Sequence, residues 1–273
     1  MKMGRWKGAW LCAVLLALPA QAALASEQGL LAAPVAQAQP AGEAGGRAQG
    51  LMKNKSYAVD EVQRIELVSD VLDVEVKASL DENVHVRGQL REGQRGDYAA
   101  QLKGKKLTLT DFSKAQFNKI ILELPPGPKL ALHITTDTGN ITVSGGSFSQ
   151  LKADTQTGSI YISAPHVYKL AANSQAGDVT ANCNKLSSAV VKTQTGDIIL
   201  VTQAPKPTLK ATSTTGDATV TIPEKPSVQY RLYTQTGSRT LDGKNINEAG
   251  KFGKGEGHVE IRLSTGNAKL LRK

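Results

Sequence analysis

The chain has 273 residues, a formal net charge of +9 and an apolar content of 40%. That is enough for one large domain or two ordinary ones, and too apolar for wholesale disorder. Only 2 Trp, 6 Tyr and 4 Phe are present, which argues against stacking platforms for single-stranded nucleic acid, aromatic sugar clefts and a large aromatic core.

At the start of the chain, Lys2, Arg5 and Lys7 precede an apolar run from Ala9 to Leu18, and Ala20-Gln21-Ala22 or Ala23-Leu24-Ala25 offers small residues where a signal peptidase reads. A membrane anchor needs about 20 apolar residues; this run is shorter and Pro19 interrupts it. Residues 1–25 therefore read as a cleavable signal peptide, and the mature chain as periplasmic, surface-exposed or secreted, with no transmembrane segment after cleavage. Cys12 lacks the preceding small residues of a lipoprotein signal. Cleavage after Ala25 takes the net charge from +9 to +6 and leaves Cys183 as the sole cysteine, so no intramolecular disulfide can form.

From residue 26 to 55 the chain is rich in Ala, Gln, Pro and Gly, with too few large apolar groups to offset backbone ordering, and reads as a flexible tether. Beyond it, runs such as Arg64-Ile65-Glu66-Leu67 and Asp73-Val74-Glu75-Val76 alternate with the period of half-buried strands, and no helical period appears. An internal repeat dominates the C-terminal half of the chain. TTDTGNITV, DTQTGSIYI, NSQAGDVTA, KTQTGDIIL, TSTTGDATV, YTQTGSRTL and RLSTGNAKL place Gly139, Gly158, Gly177, Gly196, Gly216, Gly237 and Gly266 at intervals of 19, 19, 19, 20, 21 and 29 residues.

This period predicts an all-β chain forming a single parallel β-solenoid with about 19–21 residues per coil, each coil pairing with those before and after it. Aligned on the glycines, Leu132, Leu151, Leu170 and Leu209 form one apolar column and Ile134, Ala153, Val191 and Ile261 another, with Ile141, Ile160 and Ile198 after the corner. Gln156, Gln175, Gln194 and Gln235 fall on the outward parity. The seven glycines are structural turns, where positive φ is cheap, and the Asp, Asn or Ser after them can bond local backbone. Thr136, Thr155, Ser174, Thr193, Ser213 and Thr234 share the inward parity and form a hydroxyl ladder, while Pro125, Pro126, Pro165, Pro205 and Pro223 mark the opposite turns. The domain at 56–273 thus comprises regular coils over about 124–241, an irregular insert at 242–257 and a C-terminal capping coil at 258–273.

The run ILELPPGPKLALHITTDTGNITVSGG at 121–146, followed by repeated T-x-T-G-D-[IV], resembles the bacterial DUF4097 family of β-strand repeat proteins. The resemblance runs from about Val62 to the C-terminus and implies a solenoid at the cell envelope with an adhesin label; it brings no catalytic residue. Arg239, in place of an inward apolar residue, and the insert DGKNINEAGKFGKGEG depart from the pattern.

Asp178, Asp197 and Asp217 recur at one position in consecutive coils, about 5 Å apart. Calcium is the one cofactor such a carboxylate ladder could take, but one carboxylate per coil is what a turn alone requires, and the position accepts Asn and Ser. His85, His133, His166 and His258 show no zinc-type spacing and read as surface or turn residues. Cys183 falls on the inward parity, as an inert packed thiol. Lys103, Lys105, Lys106, Lys251, Lys254, Lys269, Arg272 and Lys273 could meet an anionic envelope polymer, an envelope protein or lipid headgroups, or protect an open β-edge. No catalytic or cofactor-binding constellation emerges and no nucleic acid partner is indicated. The expectation is a non-enzymatic, adhesin-like envelope interaction module; the rivals are a polysaccharide lyase or hydrolase on a β-helix scaffold, and an envelope-stress accessory protein contacting a membrane partner. The repeat pattern leaves oligomeric state open.

Overall fold

The structure is a computed structural model, and it describes residues 52–112, 117–127 and 129–273. The predicted signal peptide and nearly all of the predicted tether lie outside the described residues. The last part of that tether, however, is strand: β1 (Met52–Ala58) begins inside it. Apart from a 3₁₀ turn at Val59–Glu61, the described residues form strands and turns alone.

In chain order, β2 (Arg64–Val71), β3 (Asp73–Ala78), β4 (Asn83–Leu90), β5 (Ala99–Lys103), β6 (Lys106–Thr110) and β7 (Phe117–Leu124) precede the regular repeats. Those repeats comprise β8 (Lys129–Thr138), β9 (Ile141–Ser144), β10 (Ser147–Thr157), β11 (Ile160–Ala176), β12 (Val179–Thr195), β13 (Ile198–Thr202), β14 (Thr208–Thr215) and β15 (Ala218–Ile222). The chain ends with β16 (Val228–Thr236), β17 (Arg239–Leu241), β18 (Lys244–Asn245), β19 (Ala249–Phe252), β20 (Gly257–Thr265) and β21 (Ala268–Arg272). All belong to one 21-stranded sheet, which turns at each corner glycine so that the segments before and after it form two walls around a thin core.

Alternation decides what fills that core. Along β8 the burial runs Leu130, Leu132, Ile134 and Thr136 inward with Ala131, His133 and Thr135 outward, the period of a strand with one wet face. In-register parallel pairing places Leu132, Leu151, Leu170, Ala189 and Leu209 in one buried column, and Ile141, Ile160, Val179, Ile198 and Ala218 in another across the corner. Each fully buried Val, Leu or Ile contributes about 1.5–3 kcal/mol. The core admits few rings: Tyr98, Phe112 and Phe117 cluster with centroids 5.3–5.9 Å apart near β4 and β7, and Tyr230 and Phe252 meet at 5.1 Å near the other end. These rings plug the ends of a stack whose middle is aliphatic apart from Phe148 on β10.

Two expectations need correction. The sheet is mixed rather than wholly parallel. Parallel pairing joins the coils, but β1 on β4, β4 on β7, β5 on β6, β18 on β17 and β19 on β16 are antiparallel. These strands fold over the end coils, where no further coil can satisfy the backbone.

The second correction concerns order. The C-terminal coil β20–β21 is not a cap; it pairs with β14–β15 on one side and with β16–β17 on the other. After β15 the chain skips one place, lays down β16–β17, and returns through the hairpin strands β18 and β19 to fill the gap. The irregular insert is thus the crossover that makes the insertion possible. The other end mirrors it: the first coil, β2–β3, lies between β8–β9 and the later coil β6–β7. Arg239 is tolerated because β17 belongs to the outermost coil, where the inward position is only partly buried.

Candidate functional site

The glycine corner carries three superposed ladders. The corner glycines have φ between +136° and +147°, outside the range of L side chains. A Cβ on Gly177 would also collide with the carbonyl of Gly158, and the same clash recurs from coil to coil. Beneath the glycines, buried hydroxyls donate to the corner carbonyl of the adjacent coil: Thr155 to Gly139 at 3.2 Å, Ser174 to Gly158 at 2.9 Å, Thr193 to Gly177 at 3.1 Å, Ser213 to Gly196 at 3.3 Å and Thr234 to Gly266 at 2.9 Å. Thr136 makes the same bond to Leu72 at 3.4 Å. Leu263 takes this place in β20.

Above the glycines runs the third ladder, and here the three predicted carboxylates are found. Asp178 Oδ1 accepts the N–H of Asp197 at 2.8 Å, Asp197 Oδ1 accepts that of Asp217 at 2.7 Å, and Asp217 Oδ1 accepts that of Asn267 at 2.8 Å. The chain of acceptors begins earlier, with Asp73 to Asn140 at 2.7 Å, Asn140 to Ser159 at 2.9 Å and Ser159 to Asp178 at 3.3 Å. It closes with Asn267 accepting from Ser238 at 3.0 Å. Asp, Asn and Ser interchange because each needs only one acceptor oxygen. Burial alone would raise the pKa of Asp217, but the Asn267 backbone N–H, the Lys269 ammonium at 3.0 Å and the Asn267 amide hold it below the usual carboxylate range. No cluster of three metal-ligating side chains occurs among the described residues.

Cys183 is fully buried opposite Ala164, and burial pushes its thiol up to about 11, far from reactive thiolate conditions. His133 contacts Asp154 at 3.5 Å, His258 is exposed, and His166 is exposed at the second corner. His85 has neighbours that sequence spacing alone did not reveal. Its Nδ1 lies 2.8 Å from Ser56 Oγ and its Nε2 lies 2.8 Å from Asp81 Oδ1. The Asn83 N–H, then His85, hold Asp81 well below the ordinary carboxylate range. The trio has the residue types of a nucleophilic relay, but Ser56 stands exposed on β1, opposite His85 in the antiparallel register. What these bonds do is fasten β1 to the β3–β4 turn.

Outward columns differ between the two walls in the middle of the stack, although beyond the corner the column continues to Glu75 at one end and Lys269 at the other. Beyond the corner, Thr142, Tyr161, Thr180, Ile199 and Thr219 stand in register. Before the corner the outward columns are charged. Glu66 lies between Arg64 at 2.8 Å and Lys106 at 2.6 Å, Asp154 between Lys152 at 2.9 Å and His133 at 3.5 Å, and Glu260 between Lys210 at 2.9 Å and Arg262 at 2.7 Å. Hydrogen bonds from Lys106 and Lys210 depress Glu66 and Glu260 respectively. Lys169, Lys192 and Arg231, which have no ion-pair partner among the described residues, add positive charge to the same wall.

The second corner holds a depression of about 260 Å³ lined by Lys129, Phe148, His166, Val167, Tyr168, Lys185 and Ser187. Ser147 is in register with both Lys129 and His166, and His166 with Lys185, so these side chains line up across successive coils. Phe148 and Val167 are buried as its floor, whereas Tyr168 is 61% exposed. A larger depression, about 580 Å³, lies near the β16–β19 end, where Glu256 already holds Lys206 at 2.9 Å and Ser227 at 3.0 Å.

The pattern of the family described as Toastrack DUF4097 matches this chain twice, over residues 62–206 and 129–271. The chain belongs to the DUF4097 family. The two DUF4097 matches overlap across 129–206, as a repeat that fits one pattern in two registers must. Solved structures similar to it include a "putative adhesin" from Bacteroides fragilis NCTC 9343, 17% identical over 82% of this chain and 97% of that one, with a TM-score of 0.48. Another is a "putative adhesin" from Parabacteroides merdae ATCC 43184, 16% identical over 82% and 97%, with a TM-score of 0.43. A "putative cell adhesion protein" from Clostridium sporogenes ATCC 15579 is 11% identical over 82% and 99%, with a TM-score of 0.37. No curated protein matches the chain.

Proposed function

We propose that this DUF4097 member is an exported, non-enzymatic β-solenoid whose outward walls bind extended material of the cell envelope, an adhesin-like role. One observation carries the reading: the wall before the glycine corner presents in-register outward columns in which paired carboxylates are outnumbered by cations, with Lys169, Lys192 and Arg231 left over. Weak contacts repeated at coil spacing add through multivalency, and an excess of fixed positive charge favours an anionic polymer. The export pattern in residues 1–25 supports an envelope location for such a surface.

Fractionation of cells expressing a C-terminally tagged chain, followed by pull-down from the fraction in which it accumulates, tests this directly. The expected result is a chain shortened at its N-terminus, in the envelope or outside the cell, co-sedimenting with polymer in a salt-sensitive manner. An uncleaved chain in the cytoplasm would overturn it.

A further inference from the structure

Around Lys129, His166 and Lys185 the second corner has no acid, unlike its far end, where Glu256 pairs with Lys206. The segments that form it, 144–152, 163–171, 182–190 and 203–210, contain no Asp or Glu. Among the described residues, Lys129, His166 and Lys185 have no ion-pair partner there, whereas the cations around Glu66, Asp154 and Glu260 are already engaged. A cation without a protein carboxylate keeps its capacity to bind an external anion.

The geometry is linear. Pairing through Ser147 sets Lys129 and His166 two coils apart and Lys185 one further, at about 4.8 Å per coil, so two ammonium groups with an imidazole between them run along the stack axis. Beside them Tyr168 exposes a ring that the core does not use, over a floor of Phe148 and Val167. The ring supplies an apolar plate and a hydroxyl, and Ser187 supplies a second hydroxyl. A coil advances by roughly the length of one sugar ring.

We propose that this groove binds an acidic polysaccharide, its carboxylates placed along Lys129, His166 and Lys185 and one sugar ring laid on Tyr168. The site rests on the envelope-binding reading and narrows it to one ligand class and one corner. Two lysines flanking an imidazole hydrogen-bonding group, with a single exposed ring, suit a chain; a membrane surface would call for a plane of charge with several apolar side chains to insert. The scarcity of aromatic residues is no obstacle, because the charges carry the affinity and one ring fixes register.

The test uses the full mature chain with polygalacturonate as probe, neutral dextran as the uncharged comparison and phosphatidylglycerol vesicles as the lipid comparison. The variants are Lys129→Gln/Lys185→Gln, Tyr168→Ala and, as a charge-matched control, Lys251→Gln/Lys254→Gln. Wild type is expected to bind polygalacturonate and not dextran. The corner pair and Tyr168→Ala are each expected to bind about tenfold more weakly, the loss of one charge-assisted contact or stacked ring, while the control stays within about twofold. Equal weakening by the control reduces the effect to net charge and overturns the site. So does vesicle binding without polygalacturonate binding, or corner variants that bind like wild type. In that last case, polymer binding by wild type leaves the envelope-binding reading standing; a chain that binds neither polygalacturonate nor isolated envelope takes both down.

Discussion

At a corner glycine, a side chain is refused on two counts: the backbone is in a region L residues avoid, and the neighbouring coil's carbonyl occupies the space of a Cβ. Gly177→Ala should therefore cost about 3 kcal/mol, more than an ordinary Gly→Ala at positive φ, read as a fall in the denaturant midpoint. The residue after the glycine obeys a milder rule. Asp197→Asn keeps an acceptor for the Asp217 N–H and should leave stability nearly unchanged, while Asp197→Ala orphans that N–H and should cost about 1 kcal/mol. Calcium is expected to leave the melting temperature of the wild type unmoved, because each ladder carboxylate already gives one oxygen to a backbone donor and no group of three ligating side chains forms among the described residues.

Acid acts on the same residues. Asp217 and Asp242 both have pKa values below those of ordinary carboxylates in the folded chain, Asp242 because the Arg272 side chain and backbone outweigh burial. A carboxylate with a lowered folded pKa contributes stability fully above its unfolded value of about 4 and loses it as pH falls through the folded value. Thermal unfolding followed from pH 6 downward should weaken below about pH 4, and Asp217→Asn with Asp242→Asn should flatten the profile.

Among the elements, β20 and β21 are the least replaceable. In an ordinary linear repeat array the last unit can be trimmed at the cost of one interface. Here, ending the chain at residue 256 would leave β14–β15 and β16–β17 facing an empty slot, with two open edges each. That truncation should abolish cooperative unfolding and cause aggregation, measured by thermal denaturation and gel filtration. Leu270→Ala, by contrast, should fold and lose about 2–5 kcal/mol as a core truncation. This element-level order is what the sequence could not disclose. The inward columns and the corners were legible because Ile134, Ala153, Val191 and Gly158 recur at fixed distances from one another. Which coil lies on which was not, since coils sharing one pattern are interchangeable partners and pairing obeys the pattern alone. The first coil was hidden for another reason: it carries Leu72 where the others carry glycine. The Ser56, His85 and Asp81 contacts also lay out of reach, because they depend on a cross-strand register that no motif encodes.

For the molecule as a whole, charge is sorted around the coil. Asp73, Asp137, Asp178, Asp197 and Asp217 gather at the glycine corner, while the stretch of the second corner from Lys129 to Lys185 is basic, an arrangement that the net charge of +9 conceals. Asp and Asn are chosen where a turn needs an acceptor, so the acidic corner has a structural origin, whereas nothing in the backbone demands Lys129 or Lys185. The legible part of the candidate surface was accordingly the part with a mechanical cause. The groove went unread because its column repeats no single residue type: Lys129, Ser147, His166 and Lys185 stand in register on four successive strands of the stack.

The tucking of both terminal coils inside the stack also fixes how such a molecule can change its length. A unit added after β21 would have no free edge to join, since β20–β21 is paired on both sides, and the outer coils at both ends of the stack carry antiparallel strands in place of a further coil. Growth is open only in the middle, where β10, β11 and β12 follow one another with identical registers. Duplication of a 19-residue unit between Gly158 and Gly177 would lengthen the walls by one rung and leave both closures untouched, so gene rearrangements in this protein have a permitted interior and two forbidden ends.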